Sequence, residues 1–418
     1  MSPLPSAFLR LVIAALLLVA SVGIAAGLFK ARSGAAGPAP ALASAAPAPA
    51  RSSNGPEKAL SGVLDAIEAN RHDLAMQRVE ALLAAHPNFR LAHLIRGDLL
   101  LARARPLETF GNVPKTVPRE KVEDLRAEAL LRLRAFRDRP NAERMPRYIL
   151  QMHADQKHAL LVDSRRSRLY VFENVGGRPQ FIADYYVSLG KNGMDKAREG
   201  DQKTPIGVYH VTANLPRQKL TDFYGAGAYP INYPNAWDRQ LGRNGHGIWL
   251  HGTPSDTYSR PPRASDGCIV LANADLEAVG RTVQVGLTPV IIADEIEWTD
   301  AAELETERKG LADAFEAWRA DWESRDSDRY LDHYAARFSS GDQDLPAWSE
   351  HKRKVNGTKS WIKVAVSRVA MLQYPRENFV VISFDQDYRS SNLSNAMRKR
   401  QYWIKDDGRW RILYEGGA

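Results

Sequence analysis

The segment Ser265-Asp266-Gly267-Cys268-Ile269-Val270-Leu271 contains the only cysteine in the 418 residues of this chain. Cys268 stands seventeen residues after the histidine of Ile248-Trp249-Leu250-His251-Gly252-Thr253. The stretch between them, 254–264, is rich in turn-forming residues and poor in apolar ones, which predicts an exposed loop between two strands. Such a loop can bring Cys268 and His251 into one cleft. Because the thiolate is the nucleophilic form of cysteine and a nearby histidine can take its proton, the two are candidates for a catalytic pair.

The residue types alone leave a second interpretation open, in which Cys268 is a small buried apolar side chain and His251 has no chemistry. Two upstream segments favour the catalytic interpretation: Gly190-Lys191-Asn192-Gly193 and Gly200-Asp201-Gln202-Lys203-Thr204-Pro205-Ile206-Gly207-Val208-Tyr209. Together with His251-Gly252-Thr253 and Ser265-x-Gly267-Cys268, they resemble the signature of the YkuD-type L,D-transpeptidases, which cross-link bacterial peptidoglycan. The resemblance covers residues 156–295 and implies a mainly β, sandwich-like catalytic domain.

The motif departs from that family at one position. The residue two before the cysteine is Asp266, where the family usually has histidine. A carboxylate there could orient the imidazole of His251 or replace a structural histidine. Its charge would also disfavour the thiolate of Cys268, because like charges raise each other's cost of ionisation.

The residues of the motif predict a mechanism. His251 would deprotonate Cys268, the thiolate would attack an amide carbonyl, and the backbone N–H groups of Gly267 and Cys268 would hold the oxyanion. Without a side chain, Gly267 also permits a close backbone approach. The resemblance implies a tetrapeptide stem as donor, cut between its third residue and the terminal D-Ala, and a side-chain amine of another stem as acceptor. The supporting or substrate-binding candidates are Gly252, Thr253, Ser265, Asp266 and Arg263, with Arg260 as a second arginine for substrate carboxylates.

Other side chains near the motif have less specific interpretations. Tyr224, Tyr229 and Trp249 either line the cleft or fill the core. The pair His246 and His251 suggests a metal site, but a spacing of five on a strand puts them on opposite faces. No His-Glu-x-x-His or paired-cysteine pattern occurs. The sequence therefore predicts no metal and no cofactor.

The N-terminus carries an apolar run from Leu9 to Phe29, interrupted by Arg10, that approaches the ~20 residues needed to span a bilayer. We expect residues 1–32 to be a signal peptide or an uncleaved membrane anchor, and the sequence leaves both open. The Pro/Ala-rich tract 33–56 has too few large apolar residues to form a core and is predicted to be a linker. Export to the periplasm or cell envelope is predicted, with the inner membrane as a partner if the segment is retained.

Apolar residues at helical spacing predict a helical region over 57–150. The break at His86-Pro87-Asn88, with Ala92 and Gly97 after it, makes part of this region similar to a tetratricopeptide-type helix pair, and a plain helical hairpin is the alternative. Glu120 to Arg137 is predicted as a charged helical connector. We expect this region to contact a protein partner or to present the domain that follows.

From about Lys157 the apolar period changes to two, which predicts strands. One helix is expected in this part of the chain, Ala274 to Val283, with Asn273 as its N-cap. These elements describe a mainly β domain over 156–295 with its site on loops. The predicted strands are 159–163, 169–173, 181–188, 207–211, 247–251, 268–271 and 288–293.

Residues 300–418 form a predicted third unit that resembles the nuclear transport factor 2/SnoaL-like α+β cone. Asp406-Asp407-Gly408-Arg409 predicts a hairpin turn. The cone hosts enzymes and binding modules alike, so we expect substrate positioning or protein binding. His333, Asp385 and Asp387 could be catalytic or could be structural. The predicted elements are a helix at 299–322, a short helix carrying Tyr330, Leu331, Tyr334 and Phe338, a polar loop, and strands at 363–372, 378–388, 398–405 and 410–414.

The net charge of +8 favours anionic partners such as a cell-wall polymer. Because the basic residues are scattered and no nucleic-acid motif occurs, we expect no nucleic-acid partner. Three function classes remain. The favoured one is a transpeptidase acting on peptidoglycan stem peptides. The others are a hydrolase of the same family, either an L,D-carboxypeptidase or an amidase that releases wall-bound lipoprotein, and a weakly catalytic peptidoglycan-binding scaffold.

Overall fold

The computed structural model describes residues 55–107, 109–114, 116–138 and 143–417. The predicted signal or anchor, 1–32, and all but the last two residues of the predicted linker, 33–56, lie outside them. Within the described ranges no helix combines the length and apolarity needed to cross a bilayer. The chain divides into two compact units, Met1–Arg126 and Ala127–Ala418.

The first unit is helical in its described part, as the sequence predicted. Helix α1 begins with Pro56 in its first turn, where the missing N–H costs nothing, and it buries Leu60 and Val63. Asp98 is buried at the end of the unit's third helix and accepts hydrogen bonds from the backbone amides of Gly111 and Asn112, at 2.6 and 2.8 Å. The helices are α1 (Pro56–Glu68), α2 (His72–Ala85), α3 (Arg90–Ala102) and α4 (Arg119–Arg137), and the boundary between the two units falls within α4.

The second unit begins with strands where the sequence predicted helix. Residues 144–146 and 149–151 are extended, so the predicted helical region 57–150 is too long at its C-terminal end. A run of only three residues is too short for its period to be recognised in the sequence. These strands are β1 (Arg144–Pro146) and β2 (Ile149–Gln151).

The catalytic-domain region is a β-sandwich, as predicted. The helix predicted at 274–283 is present as Asn273–Gly280, and a five-residue helix, Ala236–Gln240, was not predicted. A five-stranded sheet in the order β5-β4-β3-β13-β7 packs against a four-stranded sheet in the order β12-β10-β9-β8. The elements are β3 (His158–Asp163), β4 (Arg168–Val175), β5 (Arg178–Tyr186), β6 (Leu189–Gly190), β7 (Gly207–His210), β8 (Leu215–Pro216), β9 (Gly227–Pro230), α5 (Ala236–Gln240), β10 (Trp249–His251), β11 (Arg263–Ser265), β12 (Ile269–Val270), α6 (Asn273–Gly280), β13 (Pro289–Ala293) and β14 (Trp298–Asp300).

Side-chain alternation explains why the five-stranded sheet is apolar on both faces. In β3, Leu160 and Val162 point into the core shared with Leu250 of the four-stranded sheet, whereas Ala159 and Leu161 point into a second apolar cluster. A strand that is buried on both faces has a continuous run of apolar residues in its sequence, and β3 could be recognised from such a run.

The C-terminal region is a curved seven-stranded sheet packed with helices. Two details differ from the prediction: 334–340 is a strand rather than the end of a short helix, and 345–357 is a helix rather than a polar loop. Asp344 caps that helix by accepting a hydrogen bond from Ala347. The elements are α7 (Ala301–Ser324), α8 (Ser327–Asp332), β15 (Tyr334–Ser340), β16 (Gln343–Asp344), α9 (Leu345–Gly357), β17 (Ile362–Gln373), β18 (Phe379–Ser390), β19 (Ser394–Asp406) and β20 (Arg409–Gly417).

The two domains of the second unit share a sheet and an aromatic contact. Strand β2 pairs with β17 at the edge of the seven-stranded sheet. Trp237 of the catalytic-domain region packs on Phe379 and Tyr402, with ring centroids 4.8 and 5.5 Å apart. The predicted turn at 406–409 is confirmed, since Asp407 and Gly408 both have positive φ, as a two-residue hairpin loop requires.

Candidate functional site

The sheet register relates Cys268 to His251. Strand β10 pairs in parallel with β12, so that His251 lies opposite Val270. Cys268 directly precedes β12, two residues before Val270, and side chains two apart along an extended chain share a face. The register therefore puts Cys268 and His251 on the same face of neighbouring strands.

The imidazole of His251 is held in one tautomer. It is 1% exposed, and its ring lies against the rings of Phe223 and Tyr224, at centroid distances of 5.8 and 5.2 Å. Its Nδ1 lies 2.7 Å from the carbonyl oxygen of Gly252, which can only accept, so Nδ1 carries the proton. Nε2 is left with a lone pair, the form that a general base needs. Burial lowers the pKa of His251 to about 4, so the ring is neutral at pH 7.

The thiol of Cys268 is also neutral in the free protein. Burial raises its pKa to about 11; the backbone amide of Trp249 opposes this effect and the carboxylate of Asp266 adds to it. The Sγ donates to the carbonyl oxygen of Gly247 at 3.4 Å. Both members of the pair are therefore uncharged near pH 7, unlike a thiolate–imidazolium pair, in which histidine holds the thiol proton before substrate binds.

This neutral pair predicts slow alkylation of Cys268. With a thiol pKa of about 11, the thiolate fraction at pH 7 is about 100-fold lower than for a thiol of pKa 9. We expect iodoacetamide to modify the protein about 100-fold more slowly than N-acetylcysteine at pH 7, with a rate that rises tenfold per pH unit up to pH 10. Because the chain has one cysteine, intact-mass measurement follows this residue alone. A plateau in the rate between pH 5 and 7 would indicate a preformed ion pair instead.

Ser265, Thr204 and Gly267 fix the turn that carries the cysteine. Ser265 Oγ donates to the carbonyl oxygen of Cys268 at 2.6 Å and accepts from the amide of Gly267 at 3.1 Å. Thr204 Oγ1 donates to the carbonyl oxygen of Gly267 at 3.0 Å. Gly267 has φ of +123°, and a Cβ there would lie 2.6 Å from the carbonyl oxygen of Lys203, so the predicted need for glycine is explained. Because the amide of Gly267 already donates to Ser265, the amide of Cys268 stays the stronger candidate of the two amides that were predicted to hold an oxyanion.

Asp266 bonds to two residues of the upstream segments. Its carboxylate pairs with the ammonium of Lys191 at 2.8 Å and accepts from Gln202 at 3.1 Å. Both partners belong to the upstream glycine-rich segments. Asp266 therefore joins these segments to the cysteine turn, and the alternative in which it orients His251 does not correspond to these contacts.

Gly252 and Thr253, which follow the histidine, are held in place by Asn273, a residue whose role the sequence did not predict. Asn273 was expected to cap α6, but the N-cap is Ala272. The amide of Asn273 instead accepts from Ala226 at 2.8 Å and donates to the carbonyl oxygen of Thr253 at 2.9 Å. A Cβ at Gly252 would lie 2.1 Å from Asn273 Oδ1, so the close approach requires glycine. An asparagine in front of a helix is so common a cap that the sequence could not separate the two roles.

The two candidate arginines lie in different surroundings. Arg260 has its guanidinium 4.9 Å from the ring centroid of Phe223 and is close enough to Cys268 for the two charges to interact. It forms no ion pair with any residue that the structure describes. Arg263 is exposed and lies on β11, where it pairs with Leu189 of β6. Of the two arginines, Arg260 is thus the one that interacts electrostatically with both Cys268 and His251.

The other candidate residues of this domain are accounted for by packing. Trp249 packs on Tyr224 with ring centroids 4.9 Å apart, and Tyr224 in turn packs on the ring of His251. Tyr229 packs against α6 at Gly280. His246 lies in the loop before β10 and faces Glu199 at 3.4 Å, so it does not occupy the opposite face of the strand as predicted. Among the residues described, no cluster of three or more His, Cys, Asp or Glu could hold a metal ion.

The three candidates of the C-terminal domain form local ion pairs. His333 lies 2.9 Å from Asp321. Asp385 pairs with Arg368 at 3.2 Å, and Asp387 pairs with Arg389 at 2.9 Å. These contacts favour the structural interpretation of the three residues.

Comparison with protein families agrees with this geometry. Residues 157–292 match the family model described as the L,D-transpeptidase catalytic domain, YkuD. The chain carries a YkuD-type L,D-transpeptidase catalytic domain. Residues 310–416 match the model described as the Cds6 C-terminal NTF2-like domain. Both resemblances inferred from the sequence are therefore confirmed.

Three relatives are similar to parts of this chain. YafK of Escherichia coli (strain K12), whose L,D-transpeptidase name is provisional, is 30% identical over 122 residues, which are 29% of this chain and 44% of that protein. The chain thus matches less than half the length of this curated relative. Bd1075 of Bdellovibrio bacteriovorus is 29% identical with a TM-score of 0.58, over 66% of this chain and 98% of that structure. The helical cell shape determining protein Pgp2 of Campylobacter jejuni is 27% identical with a TM-score of 0.56, over 65% and 95% of the respective chains.

Proposed function

We propose that this protein is a peptidoglycan L,D-transpeptidase that forms a thioester at Cys268 and passes the acyl group to an amine. The observation that supports the proposal is the register of β10 and β12, from which we infer that Cys268 shares a strand face with a histidine whose Nε2 is an acceptor. The YkuD match supplies the substrate class, peptide stems of peptidoglycan. Its place of action is then the periplasm or cell envelope.

The neutral pair defines the order of proton transfers. As the thiol sulfur attacks the carbonyl carbon of the scissile amide, the thiol proton passes to Nε2 of His251, and negative charge develops on the carbonyl oxygen. The amide of Cys268 would stabilise that oxygen. The imidazolium then gives its proton to the leaving D-Ala nitrogen, the C–N bond breaks, and the thioester remains. In the second half, His251 takes a proton from the acceptor amine as its nitrogen attacks the thioester, and the thiol leaves with a proton.

Arg260 is the residue suited to recognise the donor. The terminal carboxylate of a tetrapeptide lies one residue beyond the bond that is cut, close to the attacking sulfur. Arg260 interacts electrostatically with Cys268 and has no ion-pair partner among the described residues, so its guanidinium can bind that carboxylate through two parallel hydrogen bonds. Arg263 is the first residue of β11, directly after this loop, and is a second, more exposed candidate for binding substrate carboxylates.

The pKa of His251 predicts the acid limb of the reaction. The imidazole must be neutral to accept the thiol proton, and protonation of the free enzyme occurs with a pKa of about 4. We therefore expect kcat/KM to fall as the pH drops through about 4, rather than through about 6.5 as for an exposed histidine. A pH profile between 3 and 8, corrected for stability by a pre-incubation control, checks this. An acid limb near 6.5 would show that His251 is not the group that must be neutral.

The second candidate function is a hydrolase, in which water instead of an amine attacks the same thioester. Its support is that the similarity to the helical cell shape determining protein Pgp2 extends over 65% of this chain and so includes more than the YkuD domain. An enzyme that trims tetrapeptides to tripeptides would change wall architecture without forming new cross-links. The acyl-enzyme is the same, and only the acceptor, water or amine, differs.

Product analysis separates these possibilities. The protein is incubated with purified disaccharide-tetrapeptide, with Cys268→Ala in parallel, and products are followed by mass spectrometry. Cross-linked dimer that depends on Cys268 supports transpeptidation, and disaccharide-tripeptide alone supports hydrolysis. Absence of any turnover contradicts both and leaves a peptidoglycan-binding scaffold.

A further inference from the structure

Helix α4 places a buried ion pair in the second compact unit. Glu128 and Arg132 are one turn apart, and Arg132 Nε and Nη2 lie 2.9 and 2.8 Å from Glu128 Oε1. Their side chains are only 1% and 3% exposed. Removing two charges from water is costly, so such a pair adds little to stability over an apolar pair of the same shape. Its other contacts are therefore the informative ones.

Those contacts reach the loop that joins His251 to Cys268. Ser259 Oγ donates to the same carboxylate oxygen of Glu128 at 2.8 Å. The guanidinium of Arg132 stacks 3.8 Å above the ring centroid of Tyr186. The hydroxyl of Tyr186 in turn donates to the carbonyl oxygen of Arg260 at 3.0 Å. Two consecutive loop residues, Ser259 and Arg260, are thus attached to the helix, one directly and one through Tyr186.

The loop is anchored separately on its other side. Ser188 Oγ donates to the carbonyl oxygen of Pro261, and the amide of Leu189 donates to that of Pro262 at 2.9 Å. The attachment to α4 therefore affects mainly the part of the loop before Pro261. That part carries Arg260, whose guanidinium lies over Phe223, next to the ring of His251.

We infer that Glu128 and Arg132 are positioning residues that hold the 254–260 segment so that Arg260 meets the carboxylate of the peptide being cleaved. This inference rests on the proposed function for its substrate. Displacements of about 1 Å in a group that orients substrate can change rates 100-fold. The part of α4 that belongs to the second unit is then a working part of the site.

The test uses variants of the full chain that each remove one link. Ser259→Ala deletes the hydrogen bond to Glu128, Tyr186→Phe deletes the hydrogen bond to Arg260 but keeps the ring under Arg132, and Glu128→Gln removes the charge of the pair. Ser259→Ala and Tyr186→Phe each remove only a hydroxyl group, so these two variants remain informative if Glu128→Gln fails to fold. Glu316→Gln breaks an ion pair between Glu316 and Arg319 on α7 and is the matched control.

Two measurements distinguish positioning from plain stabilisation. For cleavage of disaccharide-tetrapeptide we expect Ser259→Ala and Tyr186→Phe to raise KM about tenfold with kcat within twofold, and Arg260→Ala to raise KM about 30-fold. Combined with Arg260→Ala, the first two should add no further increase, because they act through Arg260. Multiplicative increases in the double variants would overturn the inference, as would an unchanged KM in the single variants.

Amide hydrogen exchange tests the attachment without any turnover. In the absence of substrate, exchange within 254–260 should rise in Ser259→Ala and Glu128→Gln and stay unchanged in Glu316→Gln. Unchanged exchange in all variants overturns the inference. If the wild type does not cleave the peptide but the exchange responds, the proposed function fails while the attachment of the loop to α4 stands.

Discussion

Replacing Cys268 by alanine is expected to lower turnover of disaccharide-tetrapeptide by about 10⁴-fold or more. The sulfur forms the bond that divides one difficult acyl transfer into two easier ones, and no other side chain of the domain can replace it. Cys268 is the only cysteine in the chain. Initial rates from product chromatography, at enzyme concentrations raised to detect residual activity, provide the measurement.

The control for this variant is the stability of the fold. The Sγ of Cys268 donates to the carbonyl oxygen of Gly247, and the loss of this hydrogen bond should cost about 1 kcal/mol of unfolding free energy. Cys268→Ser keeps a donor at that place and should be equally inactive, since serine lacks the polarisable sulfur. Residual activity above about 1% in either variant, in folded protein, contradicts a covalent route through Cys268.

Replacing His251 by alanine is expected to lower kcat/KM by about 10³-fold, which is the usual contribution of a general base. Nε2 is the acceptor set by the bond from Nδ1 to Gly252, and a neutral thiol depends on it for deprotonation. Because the Cys268 pKa is about 11, the variant should recover activity as the pH rises toward 10. The pH–rate profile of the variant, compared with that of the wild type, checks both statements.

Two controls guard this result against a packing effect. His251 is buried between Phe223 and Tyr224, so the alanine variant leaves a cavity, whereas His251→Gln preserves much of the volume and an acceptor. His246→Ala removes an exposed histidine of the preceding loop and should leave the rate unchanged. If the variant at His251 keeps wild-type kcat/KM at pH 7, the proton acceptor is a different group.

The sequence predicted the parts of the site that lie in contiguous motifs. The segments around His251, Cys268 and Thr204 could be recognised because each occupies fewer than a dozen residues, and the alternating pattern around them indicated the strands. His251 and Cys268 come onto one face through the pairing of β10 with β12. These strands are separated by 17 residues in sequence, and only the structure gives their register.

The features that were missed involve contacts over long sequence distances. Asn273 bonds to Ala226 and Thr253 rather than capping its helix. Glu128 reaches Ser259 across 131 residues, and nothing in the charged pattern of α4 distinguishes this buried glutamate from its solvated neighbours. The strand at 334–340 was missed because its aromatic residues fit a helix as well as a strand. The helix at 345–357 was missed because a basic helix with few apolar residues resembles a loop in sequence.

The most direct test of an acyl-enzyme at Cys268 is the mass of the protein during turnover. The full chain is mixed with disaccharide-tetrapeptide, quenched in acid within seconds, and analysed intact and after digestion. We predict an adduct equal to the disaccharide-tripeptide acyl group, located on the peptide that contains Cys268 and absent in Cys268→Ala. Steady product formation with no adduct on that peptide, or with the adduct on another residue, would contradict a Cys268 acyl-enzyme.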